Sequence, residues 1–166
     1  DDVQAALAAG EAPTLAPLLA EACQALLDPA APDPAVAAAM LALPGESTLV
    51  ELAAHAGGAD IDAIHASREW LRAALAETLE DALVHCVRRH PPAAAYAPVG
   101  EQIGPRSLRN TCLAYLATRG ETGLALARAQ LAAADNLTDR LAALRVIAQA
   151  GDDTAREEAL EGFLAD

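Results

Sequence analysis

The chain has 166 residues, which suits one domain large enough to bury a core. Its formal charge of −13 excludes nucleic acid as a partner, because a phosphate binder needs a basic stripe and none is visible among its eleven arginines. Hydrophobic residues make up 54% of the chain but aromatic residues only 2%, so alanine, leucine and valine must form the core, and an all-α fold is expected.

Nothing in the sequence indicates a membrane or a secreted protein. No apolar run reaches the roughly 18 residues of a membrane span, and no signal peptide is present. Cys23, Cys86 and Cys112 lie in helical segments without the spacing of a metal site, so we expect buried, reduced thiols. These features predict a cytoplasmic protein, and a start at Asp1 without methionine indicates a piece of a longer chain.

Helical periodicity and stop signals divide the chain into helices joined by short loops. In chain order we expect helices over residues 3–9, 14–27, 34–43, 47–55, 60–90, 105–119, 121–134, 137–150 and 154–164. Short loops favour antiparallel hairpins. The predicted architecture is a stack of such hairpins in a curved superhelical array, a degenerate form of HEAT or TPR repeats. The last helix, without a successor, should expose an apolar edge.

Local signals predict several helix starts and buried faces. N-caps are expected at Asp33, Ser47 and Asp60. Pro105 leaves two alternatives, a helix that begins there or an earlier turn kinked away. The apolar residues that follow helical periodicity are Leu15, Leu18, Leu19, Ala22 and Leu26 on one face of the second helix, Val36, Met40 and Leu43 in the third, and Ile61, Ile64, Leu71, Leu75, Leu79, Leu83 and Val87 in the longest.

Residues 133–144, A-A-D-N-L-T-D-R-L-A-A-L, combine a loop with a strong helix start. We expect Asn136 to be the N-cap and to accept a hydrogen bond from the Asp139 amide, while Asp139 reaches back to the Asn136 amide. Arg109 and Asn110 are polar residues in an apolar helix, so they are candidates to hydrogen-bond the loop at 135–138. These four residues are the predicted structural site, a latch between helical hairpins.

The same stretch resembles the A-N-N-M-T-D-x-L-A-A-L signature in the C-terminal helical domain of the bacterial aminopeptidase N family. The members of this family are zinc metallopeptidases. Residues 106–116 resemble the family's R-x-L-R-N-x-x-L-x-Y-L, and residues 27–44 and 60–71 resemble two earlier blocks in the same order. Ile61 and Pro105 depart from the family pattern, which usually has a proline and a helix former there.

The resemblance implies a parent with a zinc site built by H-E-x-x-H and a distant glutamate, and with a G-A-M-E-N-type loop. None of these motifs is present here, so no catalytic, cofactor-binding or metal residue is carried over, and the chain alone is expected to be inactive. It implies a single helical domain over 1–166, the first half of the parent's C-terminal domain. That domain would pack on the catalytic and remaining helical parts and shape the access of peptides.

The alternative function is a free-standing helical-repeat scaffold that binds a protein or peptide. An H-E-x-x-H motif with a downstream glutamate, a few hundred residues upstream, would decide between the two.

Other candidate sites have structural explanations. His65 and Glu69 are spaced i, i+4, but zinc needs three or four converging ligands, so we expect no metal site. Trp70 is expected to be a core or interface anchor. His90 is expected to be a cation at a helix C-terminus.

Overall fold

The structure is a computed structural model that describes residues 2–30, 33–55, 58–92 and 95–165. Within these ranges it contains ten α-helices, one short 3₁₀ helix (Ala117–Arg119) and no strand, which confirms the all-α fold. The α-helices are α1 (Asp2–Ala8), α2 (Pro17–Leu27), α3 (Pro34–Leu41), α4 (Glu46–His55), α5 (Ile61–Thr78), α6 (Glu80–Arg89), α7 (Gly100–Leu116), α8 (Glu121–Ala133), α9 (Leu137–Ala150) and α10 (Asp153–Ala165). The curved superhelical stacking stays a prediction.

Helix α7 lies at the centre of the fold and packs against α3, α5, α6, α8 and α9. Its buried face repeats at intervals of three and four residues, as a helix packed on neighbours requires. The side chains of this face, each at most 2% exposed, are Leu108, Cys112, Leu113 and Leu116. Because burial of each leucine contributes roughly 1.5–3 kcal/mol, this face holds the neighbouring helices around α7.

The buried face of α3, which packs on α7, is formed by Ala37, Ala38 and Leu41. Ala37 and Ala38 are buried, whereas Val36 and Met40 are 48% and 66% exposed. The two helices approach so closely that a β-carbon on Gly104 would lie 3.1 Å from a backbone nitrogen of α3. Val36 and Met40, two of the apolar residues that the sequence places on this helix, therefore lie outside its buried face, whereas Leu43, just after the helix, packs against the core.

The predicted face of α2 is buried only in part, since Leu15 and Leu26 pack against the core but other residues of that face do not. Leu18 is 77% exposed and Ala22 is exposed, whereas Cys23 and Leu27 are buried against the rest of the core. In a helix rich in alanine and leucine, more than one apolar stripe exists, and only the neighbouring helices decide which one is buried.

The helix predicted over 60–90 is two helices that meet at Leu79, whose φ and ψ are −112° and 14°. The Thr78 hydroxyl donates to the Ala74 carbonyl at 2.8 Å, a contact that competes with regular helix geometry. Just after the break, Glu80 accepts from Arg119 Nε at 2.7 Å, which fixes the new direction of α6. The apolar stripe continues through both helices. The sequence pattern therefore gave no sign of the break at Leu79.

Two of the three predicted N-caps are confirmed. Asp33 accepts a hydrogen bond from the Ala35 amide at 2.7 Å, and Asp60 accepts from the Ala63 amide at 3.0 Å. The N-cap at Ser47 is wrong, because α4 already begins one residue earlier.

The proline in α7 does not mark the start of that helix. An earlier turn begins at Gly100, so Pro105 lies inside the helix and the alternative of a helix that begins at Pro105 is wrong; the kink of the other alternative stays a prediction. The three last helices agree with the prediction to within one residue at each end. Leu160 and Leu164 on α10 are 46% and 81% exposed, which confirms the expected apolar edge.

No single helix within the described ranges is long and apolar enough to cross a bilayer. Helices α3 and α4 together, with a bend of 55° between them, do reach the length and composition of an interrupted span. In the structure α3 buries Ala37, Ala38 and Leu41 in the core, and this packing accounts for its apolar composition.

The cysteines are core residues. Cys23, Cys86 and Cys112 are all buried and free, as expected. Burial raises the pKa of the Cys23 thiol, and a hydrogen bond with Cys86 together with burial raises the pKa of Cys112. Cys86 on α6 and Cys112 on α7 thus form part of the contact between these helices.

Candidate functional site

Asn136 and Asp139 build the start of α9. The Oδ1 atom of Asn136 accepts from the Asp139 amide at 3.0 Å, so the expected N-cap is present. In the return direction, Asn136 Nδ2 donates to Asp139 Oδ2 at 2.8 Å, where the sequence predicted the Asn136 backbone amide as the donor. The side-chain amide therefore binds both the backbone and the carboxylate of the same residue.

Asp139 is a buried carboxylate, 1% exposed, in the first turn of α9. Arg109 Nη2 lies 2.5 Å from its Oδ2 atom, and Asn110 Nδ2 donates to its Oδ1 atom at 2.9 Å. The first turn of a helix also favours a negative charge, because the unpaired amides there carry partial positive charge. Arg109 and Asn110 thus bind Asp139, one residue beyond the loop at 135–138 that was expected to be their partner.

Arg109, only 3% exposed, connects three parts of the chain. It lies on α7, pairs with Asp139 on α9, and its Nη1 group donates to the His90 carbonyl at 3.0 Å after α6. Its Nε and Nη2 atoms are buried and make no hydrogen bond of regular geometry among the described residues, so the contact of Nη2 with Asp139 is an ion pair. A cavity of about 110 Å³ beside the cluster, lined partly by Arg109, is large enough for ordered water.

Asn110 and Gln130 extend the cluster to α8. Gln130 Nε2 donates to Asn110 Oδ1 at 2.8 Å and to the Asp139 backbone carbonyl at 3.0 Å. Gln130 is buried, and the sequence analysis missed it. A lone amide among the alanines and leucines of α8 was the only available signal. The hydrogen bonds of Gln130 join α8 to α7 and α9. Because Gln130 is buried, its amide has few other groups with which to form hydrogen bonds.

An outer layer closes the cluster on the side of residues 95–99. Arg106 Nε lies 3.9 Å from Asp139 Oδ2, and its guanidinium group stacks 4.7 Å from the centroid of the Tyr96 ring. The Tyr96 amide donates to Asp135 Oδ2 at 2.7 Å. The segment before α7 is therefore fastened to the loop before α9.

The environment sets the charge states of the cluster. Burial raises the pKa of the Asp139 carboxyl, but contacts from Arg109, Asn136 and Asn110 together outweigh burial and hold its pKa below the usual value of 3.8. Burial and the nearby Arg89 and Arg109 cations lower the pKa of His90 from 6.5. This lowered pKa disfavours the cation that the sequence predicted for His90 at the end of α6.

The other candidate residues do not assemble a reactive site. His65 Nδ1 lies 2.7 Å from Glu46 Oε1, while Glu69 pairs with Arg68 and Arg72. In the described ranges no three His, Cys, Asp or Glu side chains converge to hold a metal, so these residues do not fit the zinc that the resemblance implies for the parent. Trp70 is half-buried on α5, and its role as an anchor stays a prediction.

The chemistry of the Asp139 cluster is structural. Its carboxylate is surrounded by donors that hold it ionised, which is the opposite of what a general acid needs. The described residues thus define an all-helical domain in which a buried ion pair joins the central helices.

The chain belongs to the family described as "Domain of unknown function (DUF3458_C) ARM repeats", whose profile matches residues 2–166. It is 40% identical over 128 residues to aminopeptidase N of Escherichia coli (strain K12), and the aligned region covers 76% of this chain and 14% of that protein. It is 34% identical over 141 residues to aminopeptidase N of Haemophilus influenzae (strain ATCC 51907 / DSM 11121 / KW20 / Rd), covering 85% of this chain and 16% of that protein.

Aminopeptidase N of Caulobacter vibrioides (strain ATCC 19089 / CIP 103742 / CB 15) is 35% identical over 141 residues, covering 84% of this chain and 16% of that protein. These similarities confirm the predicted resemblance to the C-terminal helical domain of aminopeptidase N. The chain spans 14–16% of the length of the curated relatives that it matches.

Proposed function

We propose that this chain is a non-catalytic helical domain of a zinc-dependent aminopeptidase N, which removes N-terminal residues from peptides. In this role it packs on the catalytic domain and on further helices and shapes the route of peptides to the metal. The observation that carries the proposal is the similarity to three aminopeptidases N along 76–85% of the chain. The zinc and the hydrolysis belong to the parent enzyme in this proposal.

The Asp139 cluster supports a framework role. A wall of a substrate route must keep its shape, and helices that touch only through small apolar side chains can slide. The hydrogen bonds of Asp139 with Asn110, and of Gln130 with both Asn110 and Asp139, have defined lengths and directions, and Arg109 adds an ion pair with Asp139. Such contacts fix the register of α7, α8 and α9, because each shift of a helix would leave a buried polar group without a partner.

Sequence information about the gene gives the first test. The coding sequence upstream of Asp1 should contain an H-E-x-x-H motif and a downstream glutamate as zinc ligands. The 166-residue chain, purified without chelators, should hold no stoichiometric zinc and should not cleave alanyl amides. Tightly held zinc with hydrolysis by this chain alone, or an upstream sequence without the motif, would overturn the proposal and favour a free-standing scaffold.

The role in substrate access is tested in the full natural chain. Asp139→Ala should loosen this domain, while a single-residue chromogenic amide should still reach the zinc. We expect kcat/KM for that small substrate to stay within about twofold and its ratio to kcat/KM for peptides of four to eight residues to change severalfold. Asp153→Ala, which removes an exposed pair with Arg156, is the matched control. An unchanged ratio, with loosening verified by hydrogen exchange, would contradict the access role.

A further inference from the structure

A second cluster of arginines lines a groove on the face of α7 that the core does not use. Helix α5 supplies Arg68 and Arg72 on one side of the groove, and α9 supplies Arg145 on the other. Thr111 and Ala114 of α7 form part of its floor. The groove has a volume of about 420 Å³, within the range of ligand-binding clefts. We call it the arginine groove.

The charge of this groove contrasts with the charge of the whole chain. The chain carries 24 acidic residues and eleven arginines, yet three arginines and no acidic residue line the groove within the described ranges. Glu69 lies next to the lining and pairs with Arg68 and Arg72, so one carboxylate offsets part of this charge. The groove therefore has an excess of positive charge on an otherwise acidic protein, and it attracts anions.

Two of the arginines are held in place before any ligand arrives. Arg68 Nε donates to the Pro44 carbonyl at 2.9 Å, and Arg72 Nη1 donates to Gln149 Oε1 at 3.1 Å across the groove. The Nε atom of Arg72 is buried and has no hydrogen-bond partner among the described residues. Side chains that are already fixed lose little further entropy when they bind, which favours affinity.

Arg145 differs from the other two because it is exposed, and its guanidinium makes no hydrogen bond or ion pair with another residue of the described ranges. It is therefore the arginine in the groove that is most able to close on a ligand. A guanidinium group binds a carboxylate through two parallel N–H···O bonds, a geometry that a lysine cannot offer.

We propose that the arginine groove binds peptides through a carboxylate group. The carboxylate would pair with Arg145, and the rest of the peptide would lie along the groove. Apolar lining residues (Leu43, Ala142 and Val146) suit the aliphatic parts of a peptide better than a small, strongly hydrated anion such as phosphate. Either the C-terminal carboxylate or an acidic side chain of the peptide has the required chemistry. This inference does not depend on the proposed role in an aminopeptidase.

The test measures binding of four N-acetylated tripeptides to the 166-residue chain by calorimetry or NMR titration. Acetyl-Ala-Ala-Ala has a C-terminal carboxylate, and its amide has none. Acetyl-Ala-Glu-Ala-amide has a side-chain carboxylate, and acetyl-Ala-Gln-Ala-amide is its uncharged match. We expect each carboxylate peptide to bind about tenfold more tightly than its uncharged match, as a charge-assisted hydrogen bond implies. The stronger of the two carboxylate peptides identifies the source of the group.

Variants locate the binding site. Arg145→Gln should weaken the carboxylate peptides severalfold and leave the uncharged ones unchanged, whereas Arg88→Gln, which replaces an exposed arginine on α6 outside the groove, should change neither. Equal binding of charged and uncharged peptides, equal effects of the two variants, or displacement of the peptide by inorganic phosphate at the same concentration would overturn the proposal. Absence of binding of all four peptides at millimolar concentration would also overturn it.

Discussion

The two arginine clusters use the same side chain in opposite ways. Arg109 is buried, and its partner Asp139 is a carboxylate of the same chain. In the arginine groove, Arg68 and Arg72 share Glu69, and Arg145 is exposed. A buried guanidinium must have its counter-ion within the fold, because its desolvation is otherwise too costly, whereas one at the edge of a groove can exchange water for a ligand.

The comparison separates the contribution of a cluster to the stability of the domain from its contribution to ligand binding. The Asp139 cluster should govern the stability of the domain and, in the parent enzyme, act on peptide access only through that stability, since it contacts no ligand. The arginine groove should govern binding and hardly change stability. Substitutions in each cluster test this distinction. The expected effects on the free energy of unfolding differ by an order of magnitude between the two clusters.

Asp139→Ala should have the largest effect. The substitution leaves the Arg109 guanidinium buried without its counter-ion, and breaking a buried pair in this way costs about 3–5 kcal/mol. Denaturant unfolding followed by circular dichroism measures the loss. The control Asp153→Ala removes an exposed pair with Arg156 and should cost at most about 1 kcal/mol. Equal losses in the two variants would show that burial of the pair is unimportant.

Asn136→Ala should have an intermediate effect, about 1–2 kcal/mol, because it removes a helix N-cap and one donor to Asp139. The comparison variant is Asp33→Ala, which removes an exposed N-cap from α3 without touching a buried charge. Thermal or urea unfolding of both proteins gives the difference. A smaller loss for Asn136 than for Asp33 would contradict the contribution of the Asn136 side chain to the cluster.

The pH dependence of unfolding should report Asp139 directly. Its pKa in the folded protein lies below the unfolded value of about 3.9, so its stabilisation is present above that pH and is lost as the pH falls through the folded pKa. Urea unfolding between pH 6 and pH 2 should show a steeper loss for the natural protein than for Asp139→Asn, by up to about 1.4 kcal/mol per pH unit. Parallel profiles would mean that Asp139 titrates alike in both states.

Arg145→Gln should have the smallest effect on stability, within about 0.5 kcal/mol, because the side chain is exposed on α9. Equilibrium unfolding of this variant beside the natural protein checks the value. A loss above about 1.5 kcal/mol would show that Arg145 belongs to the fold rather than to a binding surface.

Local chemistry in the sequence was enough to predict the helix starts at Asp33, Asp60 and Asn136. Each is a short polar side chain just before an apolar run, and its hydrogen bonds are made within three residues. The Asn136 loop, Arg109 and Asn110 were also predicted to meet, although the atom that unites them is the Asp139 carboxylate.

The failures concern information that lies outside any local window. Val36 and Met40 are exposed because α3 turns Ala37, Ala38 and Leu41 toward the core, and the choice of that face is a property of the whole fold. Gln130 was missed because its partners lie 9 and 20 residues away on other helices. The excess positive charge of the arginine groove was missed for the same reason, since α5 and α9 are distant in sequence.

The central claim is that the Arg109–Asp139 pair, rather than apolar packing alone, fixes α7 against α9. A double-mutant cycle with Arg109→Leu, Asp139→Leu and the double variant measures their coupling free energy by urea unfolding. We expect a coupling of about 2 kcal/mol or more, so that the double variant is far more stable than the sum of the single losses implies. The exposed pair of Arg156 and Asp153, treated in the same way, should give a coupling below about 1 kcal/mol. A coupling near zero for Arg109 and Asp139 would contradict the account.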